Sequence, residues 1–141
     1  MPGRYFLDTN VFVYAFDQSA QGKALKAQKL IREGIRSGLG VVSYQVVQEF
    51  FHVALRHFPK KMSLEEAQQF LAITFRPLLA VHSSPALFSE ALHVQARHHF
   101  SWYDSLIVAA SIESECEVLY SEDLQHGQKI RGVQIRNPFG A

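Results

Sequence analysis

The sequence predicts an α/β fold: three layers, α/β/α, built on a small, mostly parallel twisted sheet. Three observations predict it. Short apolar runs recur along the chain, separated by longer stretches with helical periodicity, and strands separated by helices favour a parallel sheet covered on both faces. One late stretch, Leu106 to Ile112, is apolar around nearly its whole circumference, which marks a buried helix. Acidic residues follow apolar runs at Asp8 and again at Ser121-Glu122-Asp123, where open α/β sheets place their ligand crevice.

The elements follow in order. Tyr5-Phe6-Leu7 is a short strand ending at Asp8, with Thr9 or Asn10 expected to cap the brief helix Val11 to Phe16. Asp8 itself is expected to stay out of the core, because an unpaired buried carboxylate is costly. Lys23 to Arg36 is helical, with an apolar stripe at Ala24, Ala27, Leu30, Ile31 and Ile35 and a basic side read as a solvated face. Val41-Val42 is the second strand, and Ser43 can cap the helix Tyr44 to His57, with Glu49 on the shoulder of its apolar face. Ser63 and Glu66 have capping-box spacing for a helix running to about Phe75, which Pro77 is expected to end. Leu78 to Val81 is the third strand, and Ser84-Pro85 opens a helix to about Arg97. Ser101 and Asp104 open the buried helix, again at capping-box spacing. Val118-Leu119-Tyr120 is the fourth strand, and the alternating Val133 to Arg136 reads as a last, edge strand.

Composition narrows the class. At 141 residues, 48% hydrophobic and 19% charged, the chain suits one globular domain and excludes a disordered one. Fourteen Lys and Arg against thirteen Asp and Glu give a net charge of +1, so any basic surface must be local. The single cysteine, Cys116, excludes an intramolecular disulfide and a cysteine-based zinc site. No signal peptide and no membrane-length apolar run is visible, so a cytoplasmic protein without a membrane partner is expected.

Right-handed crossovers bring the carboxyl ends of parallel strands to one rim. Asp8 and Asp123 belong there; the helix that Asp104 opens is expected to enter near it, and Glu49 reaches it only if its helix tilts. Each also has a bland reading, as a turn or cap residue for Asp8 and Asp104 and as a solvated carboxylate for Glu49. If all four converge, their mutual repulsion opposes ionisation, and a divalent cation relieves it. An all-oxygen set without cysteine favours Mg²⁺ or Mn²⁺ over zinc.

The chain resembles the PIN-domain ribonucleases, and within them the VapC-type toxins of bacterial toxin–antitoxin pairs. The resemblance is carried by Phe6-Leu7-Asp8-Thr9-Asn10-Val11, Ser43-Tyr44-Gln45-Val46-Val47-Gln48-Glu49-Phe50, Ser101-Trp102-Tyr103-Asp104-Ser105-Leu106-Ile107-Val108-Ala109-Ala110, Leu119-Tyr120-Ser121-Glu122-Asp123-Leu124 and Asn137-Pro138-Phe139. It covers almost the full chain, so residues 1–141 are expected to form a single PIN-like nuclease domain. It implies a metal-dependent endoribonuclease acting on single-stranded RNA regions, a cognate antitoxin, and a homodimer. The family's four acids fall on Asp8, Glu49, Asp104 and Asp123, with Thr9 or Asn10 and Ser121 steadying them; the pattern prefers Asp123 to its neighbour Glu122. In that reading Asp8 and Asp104 hold the principal ion, Asp123 assists, and Glu49 orients or deprotonates the attacking water. Arg97, Lys129 and Arg131 are the basic residues expected near the rim to hold the RNA backbone.

Three other readings compete. An aspartyl-nucleophile phosphatase needs a second Asp two residues after the first, and Asn10 stands there. A phosphoacceptor signalling domain needs adjacent acids near its first strand and a late Lys, and neither pattern is present. A catalytically silent module for binding RNA or protein is the third.

Overall fold

The computed structural model describes residues 3–140. Six strands form one sheet: β1 (Tyr5–Leu7), β2 (Gly40–Ser43), β3 (Leu79–Val81), β4 (Val118–Tyr120), β5 (Lys129–Ile130) and β6 (Val133–Arg136). Their order is β3-β2-β1-β4-β6-β5, and every neighbouring pair is parallel except β5 with β6. The helices are α1 (Thr9–Tyr14), α2 (Gln21–Ser37), α3 (Tyr44–Ala54), α4 (Leu64–Phe70), α5 (Arg76–Leu78), α6 (Pro85–His98) and α7 (Trp102–Glu113), with a π-helical turn at Leu71–Phe75 between α4 and α5. This is the expected three-layer α/β/α arrangement. No described helix is long and apolar enough to cross a membrane.

β1 lies between β2 and β4, so the chain departs from it in opposite directions across the sheet. That switch point is where such sheets open a crevice. Phe6 and Leu7 are fully buried, and Leu7 is level with Tyr120 on β4. The residues that follow, Asp8 and Ser121, therefore emerge side by side.

α7 is buried along Ser105 to Ser111, as its all-round apolarity predicts. The three buried serines here stay satisfied: Ser105 and Ser111 inside the helix donate to carbonyls one turn back, and Ser114, at its C-cap, does the same. Phe50 is the hub of an aromatic cluster with Phe12, Phe16, Phe58, Phe70 and Phe75, and its ring stacks on Phe70 with centroids 4.9 Å apart. Phe12, Phe50 and Phe75 are fully buried and belong to the core, while Phe58 and Phe70 are partly buried against it and Phe16 is 42% exposed.

Two expectations about the fold change. Pro77 does not end a helix; it sits inside α5. The preceding turn widens instead, with the Arg76 N–H reaching back to the Leu71 carbonyl, so the chain stays helical past a residue that has no N–H to donate. Val133–Arg136 is not an edge strand either. β5 covers it, through a two-residue hairpin whose Arg131 and Gly132 both have positive φ, 46° and 83°. That is the type I′ pattern matching strand twist, reached here without the usual Asn-Gly.

α2 crosses β2 at a point where neither chain carries a side chain. A Cβ added at Gly40 would lie 2.7 Å from the Gly34 Cα and 3.0 Å from Leu78 Cδ2. Gly40→Ala is expected to destabilise the fold by about 1–3 kcal/mol, as overpacking against backbone does. Chemical denaturation compared with Gly22→Ala, where a Cβ meets nothing within 4 Å, measures it.

Candidate active site

Asp8 is pinned at the rim by its own backbone, whose N–H donates to the Tyr120 carbonyl at 3.0 Å. It is extended and forms the N-cap of α1, and Oδ1 accepts the Thr9 N–H at 2.7 Å. The cap is thus Asp8 itself, not Thr9 or Asn10. The carboxylate is also buried, only 5% exposed. The expectation that it would avoid the core fails because Ser121, 113 residues away, donates its hydroxyl to Oδ2 at 2.8 Å. Both oxygens have donors, but both donors are neutral. Burial pushes the Asp8 pKa up to about 7; the Ser121 and Thr9 bonds pull it down, and the nearby charges of Glu49 and Asp123 push it up again.

Glu49 reaches the same rim because α3 packs against α1. Its Oε1 accepts the Thr9 hydroxyl at 2.6 Å, and Oε2 accepts the Gln45 amide at 3.3 Å. Asp123 accepts the Asn10 amide at 3.2 Å, and its backbone N–H donates to Ser121 Oγ at 3.2 Å. Ser121 therefore bridges the first acid to the turn bearing the last. Glu122 points elsewhere: it takes the Tyr14 hydroxyl at 2.7 Å and Lys23 at 2.8 Å, and the Lys23 bond leads in lowering its pKa. That pairing separates Glu122 from Asp123 in a way adjacency in sequence does not.

Asp104 enters in the first turn of α7, where its N–H is capped by Ser101 Oγ at 3.1 Å. Among the described residues its carboxylate has no hydrogen-bond or ion-pair partner. Gln45 ties this turn to the rest, since one amide donates to both Glu49 and the Tyr103 carbonyl, the latter at 3.1 Å. Gln45 was not among the expected site residues. The available signal was its place one helical turn before Glu49, on the same face.

None of the ion pairs between described residues involves Asp8, Glu49, Asp104 or Asp123. Beside them, Asn10 Oδ1 is buried without a partner. A buried carboxylate, neighbouring negative charges and an orphaned amide oxygen suit a hard dication in donor chemistry. Among the described residues, however, no three His, Cys, Asp or Glu side chains are drawn together closely enough to hold one ion. The acids are linked through Thr9, Ser121, Asn10 and Gln45 rather than gathered on a point.

The comparisons with known proteins fit this architecture. The PIN-domain family model matches residues 5–129. The chain belongs to the PIN-domain family. No curated protein matches it significantly. Among solved structures, this PIN domain is similar to a toxin–antitoxin complex from Klebsiella pneumoniae, with a TM-score of 0.69 and 14% identity over 97% of this chain and 99% of that one. It is similar to VapBC2 from Rickettsia felis bound to a promoter DNA fragment, with a TM-score of 0.67 and 16% identity over 94% and 97% of the two chains. It is also similar to Mycobacterium tuberculosis VapC20, described as a toxin that cleaves the sarcin–ricin loop, with a TM-score of 0.61 and 19% identity over 83% and 88%.

The expected basic residues do come together in this PIN domain, but not at the rim. Arg97, Lys129 and Arg131 line one pocket of about 260 Å³ with His93 and His98, and Arg131 is paired with Glu90. Lys129 is level with Gln134, which is level with Val118, the first residue of β4. The hairpin tip therefore sits at the amino edge of the parallel strands, opposite the acids. These residues were expected near the rim, but the reversal at β5 carries Lys129 and Arg131 to the opposite edge.

Proposed function

We propose that this PIN domain is a metal-dependent endoribonuclease that hydrolyses phosphodiester bonds in RNA, as the toxin of a type II toxin–antitoxin pair. One observation carries the reading: a buried Asp8, pressed by the negative charges of Glu49 and Asp123, has no basic side chain among the described residues to neutralise it. The structural relatives described as toxin–antitoxin complexes, and the one described as cleaving RNA, support the biological context. A cognate antitoxin, a homodimer and a cytoplasmic site of action belong to the same proposal.

Asp8 and Asp104 would hold the principal ion, Mg²⁺ or alternatively Mn²⁺, with Asp123 assisting, which requires these carboxylates to draw closer together than they stand in this structure. When bound, the ion supplies charge stabilisation to the phosphorane-like transition state and lowers the pKa of water. The chain does the rest. Ser121 and the Thr9 N–H fix both Asp8 oxygens, and Asn10 fixes Asp123. Glu49, held by Thr9 and Gln45, orients the attacking water and accepts its proton.

The test is RNA cleavage by the purified chain with Mg²⁺ or Mn²⁺ and with excess EDTA; equal cleavage in EDTA would overturn the mechanism. Thr9→Val removes the hydroxyl that positions Glu49 and is expected to lower kcat about ten- to a hundredfold, the range for a hydrogen bond to a charged group. Thr9→Ser should recover most of it, and KM should hardly move. A drop confined to KM would place Thr9 in RNA binding instead.

A further inference from the structure

A pocket of about 200 Å³ opens beside the acids, between the start of α3, the turn after β3 and the first turn of α7. Tyr44, Phe88, Trp102 and Tyr103 line it, and all four are exposed, Tyr103 by 63%. So many aromatic faces at one place on a surface mark a binding site. Among the described residues, no Asp, Glu, Lys or Arg lines the pocket, so it is built for a neutral group. Its polar lining includes Gln48 and Ser43. Ser43 holds the N-cap position of α3 yet makes no capping bond, and its Oγ is buried without a partner. A flat, uncharged ring with hydrogen-bonding edges suits this lining. The volume lies below the roughly 300–1,000 Å³ of pockets for drug-sized ligands, so one such ring system fits.

The pocket shares a wall with the acidic site. Gln45 lines it, and the same amide bonds both Glu49 and the Tyr103 carbonyl. A group in the pocket therefore sits next to whatever the acids act on. We propose that the pocket bounded by Tyr44, Trp102 and Tyr103 receives one unpaired, unstacked base of single-stranded RNA adjoining the phosphodiester to be cut. The proposal rests on the ribonuclease reading and names the subsite that makes it selective for single strands. A base within a duplex is stacked on both faces and does not enter. Aromatic stacking accepts any base, while an edge contact from the Gln48 amide gives preference among them.

Trp102 is the only tryptophan in the chain, so its fluorescence reports occupancy directly. The experiment titrates a short single-stranded RNA into the Asp8→Asn variant in EDTA, so that no cleavage intervenes. Quenching of Trp102 is expected, with none from the same sequence in duplex form. It should be lost when the base nearest the cleavage site is replaced by an abasic residue. Tyr103→Ala, at a highly exposed position that should not disturb folding, is expected to weaken binding roughly tenfold or more. Equal quenching by the abasic or duplex RNA overturns the proposal. So does a Trp102 signal that follows protein concentration alone, with sedimentation showing two copies joined through this face. Cleavage by the wild type without quenching removes the pocket and leaves the ribonuclease reading; base-dependent quenching without cleavage does the reverse.

Discussion

Asp8→Asn should raise the melting temperature of the metal-free protein at pH 8 while abolishing RNA cleavage. The two effects have one origin. Burial raises the Asp8 pKa from 3.8 to about 7. Between those values the folded chain keeps a proton that the unfolded chain has released. Asp8 therefore costs the fold nothing below pH 3.8, and its penalty grows as the pH rises towards 7. At about 1.4 kcal/mol per pKa unit, the penalty at pH 8 has a ceiling of about 4 kcal/mol. Asparagine removes it. At pH 5 the gain should shrink, because only about 1.2 of the pH units above 3.8 still count, about 1.6 kcal/mol, and asparagine offsets part of that by presenting an amide N–H₂ to one of the two donors. Cleavage should fall at least about 10³-fold, since charge stabilisation worth several kcal/mol is lost and each 1.36 kcal/mol is a factor of ten. Thermal melts at the two pH values beside a cleavage assay check both halves. A variant that melts lower at pH 8, or still cuts RNA, would remove Asp8 from the role given to it.

Divalent metal should be required for cleavage and should stabilise the fold more at pH 8 than at pH 5. Excess EDTA is expected to stop cleavage, and Mg²⁺ or Mn²⁺ to restore it. A ligand at a hundred times its Kd adds about 2.7 kcal/mol to stability, a shift of roughly 5–10 °C for a chain this size. The ion must displace the proton that Asp8 retains below about pH 7, so acid weakens binding and the shift shrinks. Differential scanning fluorimetry with and without Mn²⁺ at both pH values reads this without any RNA. A shift independent of pH would mean that the ion binds away from Asp8.

The sheet was largely legible in the sequence. Tyr5 to Leu7, Val41-Val42, Leu78 to Val81 and Val118 to Tyr120 are short apolar runs, and each is a strand within a residue or so. β5 escaped because two residues are too few to show alternation, and Arg131 at positive φ is not a usual hairpin signal. The placement of Lys129 and Arg131 failed with it, since their side of the molecule depends on that reversal, and Arg97 of α6 lines the same pocket as they do. The burial of Asp8 was illegible for another reason: local pattern prices a lone carboxylate, and its partner Ser121 lies on another strand. Glu122 and Asp123 were separable only through the resemblance; Lys23 and Tyr14 now supply a physical reason.

The bond from Ser121 to Asp8 also bears on how the protein is made. Asp8 precedes by 113 residues the hydroxyl that holds its second oxygen, which comes only after β4, and Asp123 comes later still. A nascent chain therefore has no complete acidic site until the segment after β4 has been synthesised. Any activity that needs all of these acids is absent during translation of everything between β1 and that segment.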